Sequence, residues 1–237
     1  MKPKSTDIGV VLIHGAGLRS WIWDDVKLDL PTLAIDLPHR GEPKETRANL
    51  SLDDYAFDVL DKIRAWHTGK VLIVAHSLGG VIGLEAAYKL GDQLAGFVGV
   101  CAAIPETSKS FVSTLPIPQK FIMPLMLRLA GTQPPASAIT AGLCNDVDPE
   151  LTQKIIADFS AESRAVFTEP VGYSQLTVPT MYIRTTNDKE YPAALQTAMA
   201  RRLPNVEIHD IASGHLPMLS QPAQLSKQLS AFTARVS

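Results

Sequence analysis

Residues 70–90 read KVLIVAHSLGGVIGLEAAYKL, and this stretch limits the possible folds more than any other. Val71 to Ala75 form a short apolar run after Thr68-Gly69-Lys70, the pattern of a strand buried on both faces. Val81, Leu84 and Tyr88 then follow at helical spacing, so Ser77 falls at a strand-to-helix turn. A serine held there projects above the edge of a parallel sheet, on a strained backbone, facing the positive end of the helix. Ala75 and Gly79 flank it at two residues on either side, and Gly80 lets the helix pack near the sheet. The motif of this kind has glycine at both flanks, so Ala75 is a departure; a helix-capping serine is the plainer alternative.

The same reading along the chain gives six strands, at 8–13, 31–36, 70–75, 94–101, 178–184 and 205–209. Most are apolar throughout, as in a parallel sheet covered on both sides. Helix patterns alternate with them: 51–67, where Ser51 and Asp54 stand in capping-box positions, 79–90 closed by Gly91, 192–202 opened by Pro192, and 221–234. The expected fold is α/β, a doubly wound, mainly parallel six-stranded sheet. Residues 105–177 break the rhythm, with several prolines and apolar helical pieces such as KFIMPLMLRLA. Seventy residues are too many for a simple loop. The expectation is a core of residues 1–104 and 178–237, with 105–177 inserted as a helical cap at the sheet edge where such folds hold ligands.

Composition excludes several classes. The chain has 237 residues, enough for one well-buried domain, with 46% hydrophobic and 19% charged residues. A net charge of -2 gives no electrostatic case for nucleic acid or an anionic membrane. The opening MKPKSTDIGVVLIHGAG has neither signal-peptide nor membrane-span character, so the expected location is cytoplasmic. Cys101 and Cys144 read as two reduced thiols, and no metal-ligand spacing is present, so neither metal nor cofactor is expected. The expected state is a monomer or homodimer acting on a small molecule.

A serine hydroxyl needs a base. Among six histidines, His14 shapes the turn after the first strand, His76 lies inside the serine turn, His39 is a candidate for a pocket rim, His67 ends a helix and His209 lies in the last strand. His215 stands in IASGHLPML, after the sixth strand, with Gly214 freeing its backbone. That loop opens at the same edge as Ser77, so His215 is the base chosen. A carboxylate must hold the imidazole tautomer and stabilise its cation. Asp188 in MYIRTTNDKEYP lies just past the fifth strand at that edge; Glu190 is its nearest rival. Asp146 and Asp148 read as a helix-capping turn, and Asp210 as too close to His209 to reach His215. The order Ser77, Asp188, His215 matches one of the known convergent orders.

Acyl transfer also needs N–H donors for the oxyanion. The glycine-rich turn LIHGAGL supplies Ala16, and the residue after the nucleophile supplies Leu78. A dinucleotide cradle would want a third glycine after Gly15 and Gly17, where Leu18, Arg19 and Ser20 stand. Gly15, His76, Met123 and Met126 are the candidates for contact with substrate; Met123 and Met126 sit on a Pro-containing apolar segment of the cap.

Taken together, HGAG followed by Trp21 and Trp23, DLP at 36–38, AHSLGG, TNDKEYP and GHLPMLSQP resemble the α/β-hydrolase superfamily over nearly the whole chain. The chain is similar to the group of plant methyl-ester esterases and hydroxynitrile lyases and their bacterial esterase relatives. That resemblance implies a six-stranded parallel core, a helical cap, a cofactor-free serine mechanism and small carboxylic esters as substrates. The lyases carry threonine after the first-strand histidine and lysine after the catalytic histidine; Gly15 and Leu216 stand here, which disfavours cyanohydrin cleavage. Ser77 also excludes the aspartate-nucleophile chemistry of superfamily dehalogenases. The expected function is a serine esterase with an acyl-enzyme. The alternatives are a small-molecule receptor on the same scaffold, or an acyltransferase or perhydrolase using the same triad.

Overall fold

A computed structural model describes residues 8–66 and 69–236. His67 and the first seven residues lie outside them, as does the end of the first expected helix.

Six strands form one sheet: β1 (Ile8–Ile13), β2 (Thr32–Ile35), β3 (Lys70–His76), β4 (Leu94–Val100), β5 (Thr180–Thr185) and β6 (Glu207–Ile211). Their spatial order is β2-β1-β3-β4-β5-β6, and every neighbouring pair is parallel. The order reverses between β1 and β3. Such a switch point leaves a crevice beyond the carboxyl ends of those strands, because the connections depart to opposite sides.

Alternate residues of the central strands enter two separate cores. Val11, Ile13, Ile73 and Ala75 pack on one side with α1 (Leu52–Trp66) and α2 (Gly79–Leu90). Val10, Leu12, Leu72 and Val74 pack on the other with Trp23 and the C-terminal helix. The central strands therefore read as continuous apolar runs because both faces are covered, as the sequence implied. The capping box of α1 forms as expected: Ser51 N–H donates to Asp54 Oδ2 at 2.8 Å and Asp54 N–H to Ser51 Oγ at 3.1 Å.

Between β4 and β5 the chain makes no strand among the described residues. It carries α3 (Gln119–Leu129), α4 (Ala136–Ala138) running into a π-helical turn (Ile139–Leu143), α5 (Pro149–Asp158) and α6 (Ala165–Thr168). Asp148 caps α5 by accepting the Glu150 N–H at 2.8 Å. After β5 come α7 (Ala193–Ala200), then β6, α8 (Pro217–Ser220) and α9 (Pro222–Val236). The last strand differs most from expectation, starting two residues later and running through Ile211. Its register against β5 explains this: Asp210 lies opposite Arg184, whose guanidinium grips the Asp210 carboxylate with two bonds of 2.7 and 2.8 Å. Among the described residues, no helix is long and apolar enough to cross a membrane.

Candidate active site

Ser77 directly follows β3 with φ of +52°, in the left-handed region that a non-glycine residue seldom adopts. The strain is held from several sides. The Ser77 N–H donates to the Val100 carbonyl at 3.2 Å, and its own carbonyl accepts from Gly80 and Ala103, both at 2.9 Å. Gly79 is required because a Cβ there would stand 2.5 Å from the His14 carbonyl oxygen. The departure at Ala75 is accommodated one helical turn on, where a Cβ at Gly83 would stand only 3.0 Å from the Ala75 methyl. The absence of a side chain at Gly83 keeps the close approach of α2 to β3.

The three residues chosen from sequence meet. His215 Nε2 lies 2.8 Å from Ser77 Oγ, and His215 Nδ1 lies 2.8 Å from Asp188 Oδ2. All three are buried, with His215 at 1% exposure and Ser77 at 9%. Asp188 is fixed by four further donors. Its Oδ1 accepts the N–H groups of Glu190 (2.8 Å) and Tyr191 (2.9 Å), and its Oδ2 accepts the Thr185 hydroxyl (2.8 Å) and Gln196 Nε2 (3.3 Å). Burial works against the Asp188 charge, but His215 and these donors outweigh it and hold its pKa below the ordinary carboxylate value. Burial likewise works against the His215 cation; the neighbouring Cys101 and Asp188 groups offset it, and its pKa stands above the ordinary imidazole value. The Cys101 thiol is pushed up by its own burial and is neutral at ordinary pH, which leaves Asp188 as the charge that acts.

An apolar cavity of about 510 Å³ opens onto Ser77 and His215. Ala16, Leu78, Met123, Met126, Phe159 and Tyr191 are among its walls. Neither Ala16 nor Leu78 gives its N–H to another group among the described residues, so two main-chain donors are free beside the serine.

Gly15 and His76 are not in the cavity wall, contrary to expectation. His76 is wholly buried behind the serine turn, where its Nε2–H donates to the His215 carbonyl at 2.8 Å and its ring meets Trp23 edge-on. Gly15 is packed against it, too close for a side chain. Desolvation, with His215 adding to it, lowers the His76 pKa to about 3, so the ring is a neutral prop. His39 also lies away from the cavity, paired with Glu42 at 3.1 Å on the surface. His14 does shape its turn: it bonds the Gly15 carbonyl through Nδ1 at 2.8 Å and accepts the Leu37 N–H at Nε2 at 3.1 Å. Asp146 is not a helix cap; its Oδ2 accepts the Gly214 N–H beside His215.

Sequence reasoning missed three supports. Tyr191 sets the T-shaped edge of a ring pair against His215, with centroids 5.1 Å apart. Gln196 straps the turn after β5 by donating to the carbonyls of Thr185 (2.9 Å) and Tyr191 (2.6 Å). Asn145 Nδ2 donates to the Asn187 carbonyl at 3.1 Å. The TNDKEYP motif contained Tyr191, but nothing in its residue pattern marked the ring contact. Donor atoms of His76, Cys101 and His215 also converge within 4.8 Å, the one cluster of metal-ligand type among the described residues. Both His215 nitrogens and His76 Nε2 are already engaged in the bonds above, so these residues do not fit a metal without dismantling the site.

A doubly wound parallel sheet with this hydrogen-bonded series at its switch point defines the class of the protein. The chain belongs to the alpha/beta hydrolase family, whose model matches residues 10–228. It is 26% identical over 255 residues to Methylesterase 17 of Arabidopsis thaliana, covering 94% of this chain and 90% of that protein. It is also 26% identical over 256 residues to Norfluorocurarine synthase 2 of Strychnos, covering 95% of each. A pyrethroid hydrolase from Sphingobium faniae JZ-2 superposes with a TM-score of 0.79 at 23% identity, covering 97% of this chain and 98% of that one, a likeness of fold.

Proposed function

We propose that this protein is a serine hydrolase cleaving small to medium apolar carboxylic esters through an acyl-enzyme. The observation that carries the reading is the unbroken series Asp188–His215–Ser77 at 2.8 Å per link, opening into an apolar cavity with two free main-chain donors. Full-length similarity to Methylesterase 17 supports an ester as the substrate.

In this mechanism Ser77 Oγ attacks the ester carbonyl as His215 Nε2 takes its proton. Asp188 keeps the Nδ1–H tautomer and stabilises the imidazolium. The carbonyl oxygen gains charge as the tetrahedral intermediate forms, and the N–H groups of Ala16 and Leu78 receive it. His215 then protonates the leaving alkoxide, and water activated by the same nitrogen releases the acid. Residues 105–177 act as a cap that excludes bulk water and supplies the acyl or alcohol pocket, with Met123 and Met126 in its wall.

Ser77→Ala tests the reading. Hydrolysis of p-nitrophenyl butyrate is expected to disappear while the circular-dichroism spectrum stays the same. Turnover retained in that variant would remove Ser77 from the reaction. A wild-type protein that binds esters tightly and turns none over would favour the receptor alternative.

A further inference from the structure

Glu162 lies between α5 and α6, far from Ser77 in sequence, yet it ends within the turn after β1. Its Oε1 accepts the Gly17 N–H at 2.9 Å, one residue past the oxyanion donor Ala16. The carboxylate is otherwise saturated. Arg40 grips both oxygens in a fork, and the Tyr55 hydroxyl donates to Oε2 at 2.9 Å. Side-chain exposure is 2% for Arg40 and 1% for Glu162, so the pair is shut away from water. Two more bonds fasten the same turn: Ser160 N–H donates to the Gly17 carbonyl at 2.9 Å, and Arg40 Nε to the Leu18 carbonyl at 2.9 Å.

A buried ion pair is seldom the most stable way to fill such a space, because desolvating two charges offsets most of their attraction. What this one supplies is direction. A carboxylate clamped by a planar guanidinium cannot rotate, so the donor it receives from Gly17 is held at a fixed place. We infer that Glu162, oriented by Arg40, is a positioning residue for the oxyanion turn, setting where the Ala16 N–H points. The inference rests on the proposed ester hydrolysis for its kinetic consequence. Its structural part is independent of the reaction: the segment between α5 and α6 holds the Gly15–Leu18 turn in register with Ser77.

The consequence is a separation of effects. Loss of the clamp leaves the cavity and the Ser77–His215–Asp188 series in place, so substrate binding changes little. Stabilisation of the oxyanion falls, because a donor displaced from its line contributes less in the transition state. Glu162→Ala is expected to lower kcat on the order of 10–100-fold, with KM within about threefold. An alkyl boronic acid reads the same loss without turnover. It forms a tetrahedral adduct as the Ser77 oxygen bonds to boron and His215 takes the serine proton, leaving a boron-bound oxygen in the oxyanion position. Its affinity is expected to fall by the same factor as kcat, whereas a planar ketone of equal size should bind as before. Glu162→Gln keeps an acceptor for Gly17 and is expected to recover part of the loss.

The experiment combines these kinetics with amide hydrogen exchange of residues 14–18. Faster exchange in that segment together with the kcat-specific loss supports the inference. Unchanged exchange, or a loss carried by KM with boronate affinity intact, overturns it. If Glu162→Ala does not fold, Arg40→Gln removes the clamp from the other side and must show the same pattern. Faster exchange in a variant of a protein that hydrolyses no ester at all would leave the clamp standing and remove the proposed reaction instead.

Discussion

Replacing Asp188 with asparagine changes one atom and should disable the base. Asp188 Oδ1 is committed to two main-chain donors, Glu190 at 2.8 Å and Tyr191 at 2.9 Å. An asparagine carbonyl must therefore stay there, which puts the amide nitrogen where Oδ2 now faces His215 Nδ1 at 2.8 Å. That nitrogen donates, so Nδ1 must accept, and the imidazole proton moves to Nε2. Nε2 then points a hydrogen at Ser77 Oγ across 2.8 Å and cannot take the serine proton. The wrong tautomer in a triad of this kind costs about 10⁴ in kcat, or about 5 kcal/mol of transition-state stabilisation. The cavity walls do not change, so KM should hold within about threefold. Initial rates on p-nitrophenyl acetate near pH 8, alongside a thermal melt showing the variant folded, measure this directly. A loss smaller than tenfold would refute the tautomer argument and with it the assigned role of Asp188.

The rising limb of kcat/KM against pH should have its midpoint above the ordinary imidazole value of about 6.5, because only neutral His215 acts as base and Asp188 raises its pKa. A midpoint below pH 6 would contradict that environment. Stability should fall as pH drops from about 6.5 towards 3, since His76 stays neutral when folded, with a pKa of about 3, whereas the unfolded chain takes up the proton. His76→Gln should flatten that slope in urea titrations between pH 6 and 4, with His14, also lowered by burial, retaining part of it. Gly79→Ala places a methyl 2.5 Å from the His14 carbonyl and is expected to cost about 1–3 kcal/mol in denaturant melts, with a fall in kcat as the Leu78 N–H shifts.

The sheet and the three side chains of the Asp188–His215–Ser77 series were legible because each is announced locally. A strand buried on both faces reads as an apolar run, and the residues just past β3, β5 and β6 all emerge at one edge of a parallel sheet. Ser77, Asp188 and His215 could thus be grouped without knowing a single contact. What was illegible depends on pairs far apart in the chain. Glu162 carries no local signal and Asp146 reads as part of a helix-capping turn until folding brings them to Gly17 and Gly214. His76 looked like a cavity residue because it adjoins Ser77, but successive strand positions face opposite ways, and its ring is turned behind the serine. β6 was misplaced because its first four residues, Glu207 to Asp210, are exposed at the sheet edge, so the apolar signal is weak there.

The central claim is that the Ser77 oxygen becomes covalently acylated during turnover. Acid-quenching the protein within milliseconds of mixing with p-nitrophenyl butyrate, followed by peptide mapping by mass spectrometry, reads that bond. A butyryl group on the peptide containing Ser77, absent from Ser77→Ala, is the expected result; turnover with that peptide unmodified and a burst of p-nitrophenol missing would contradict it.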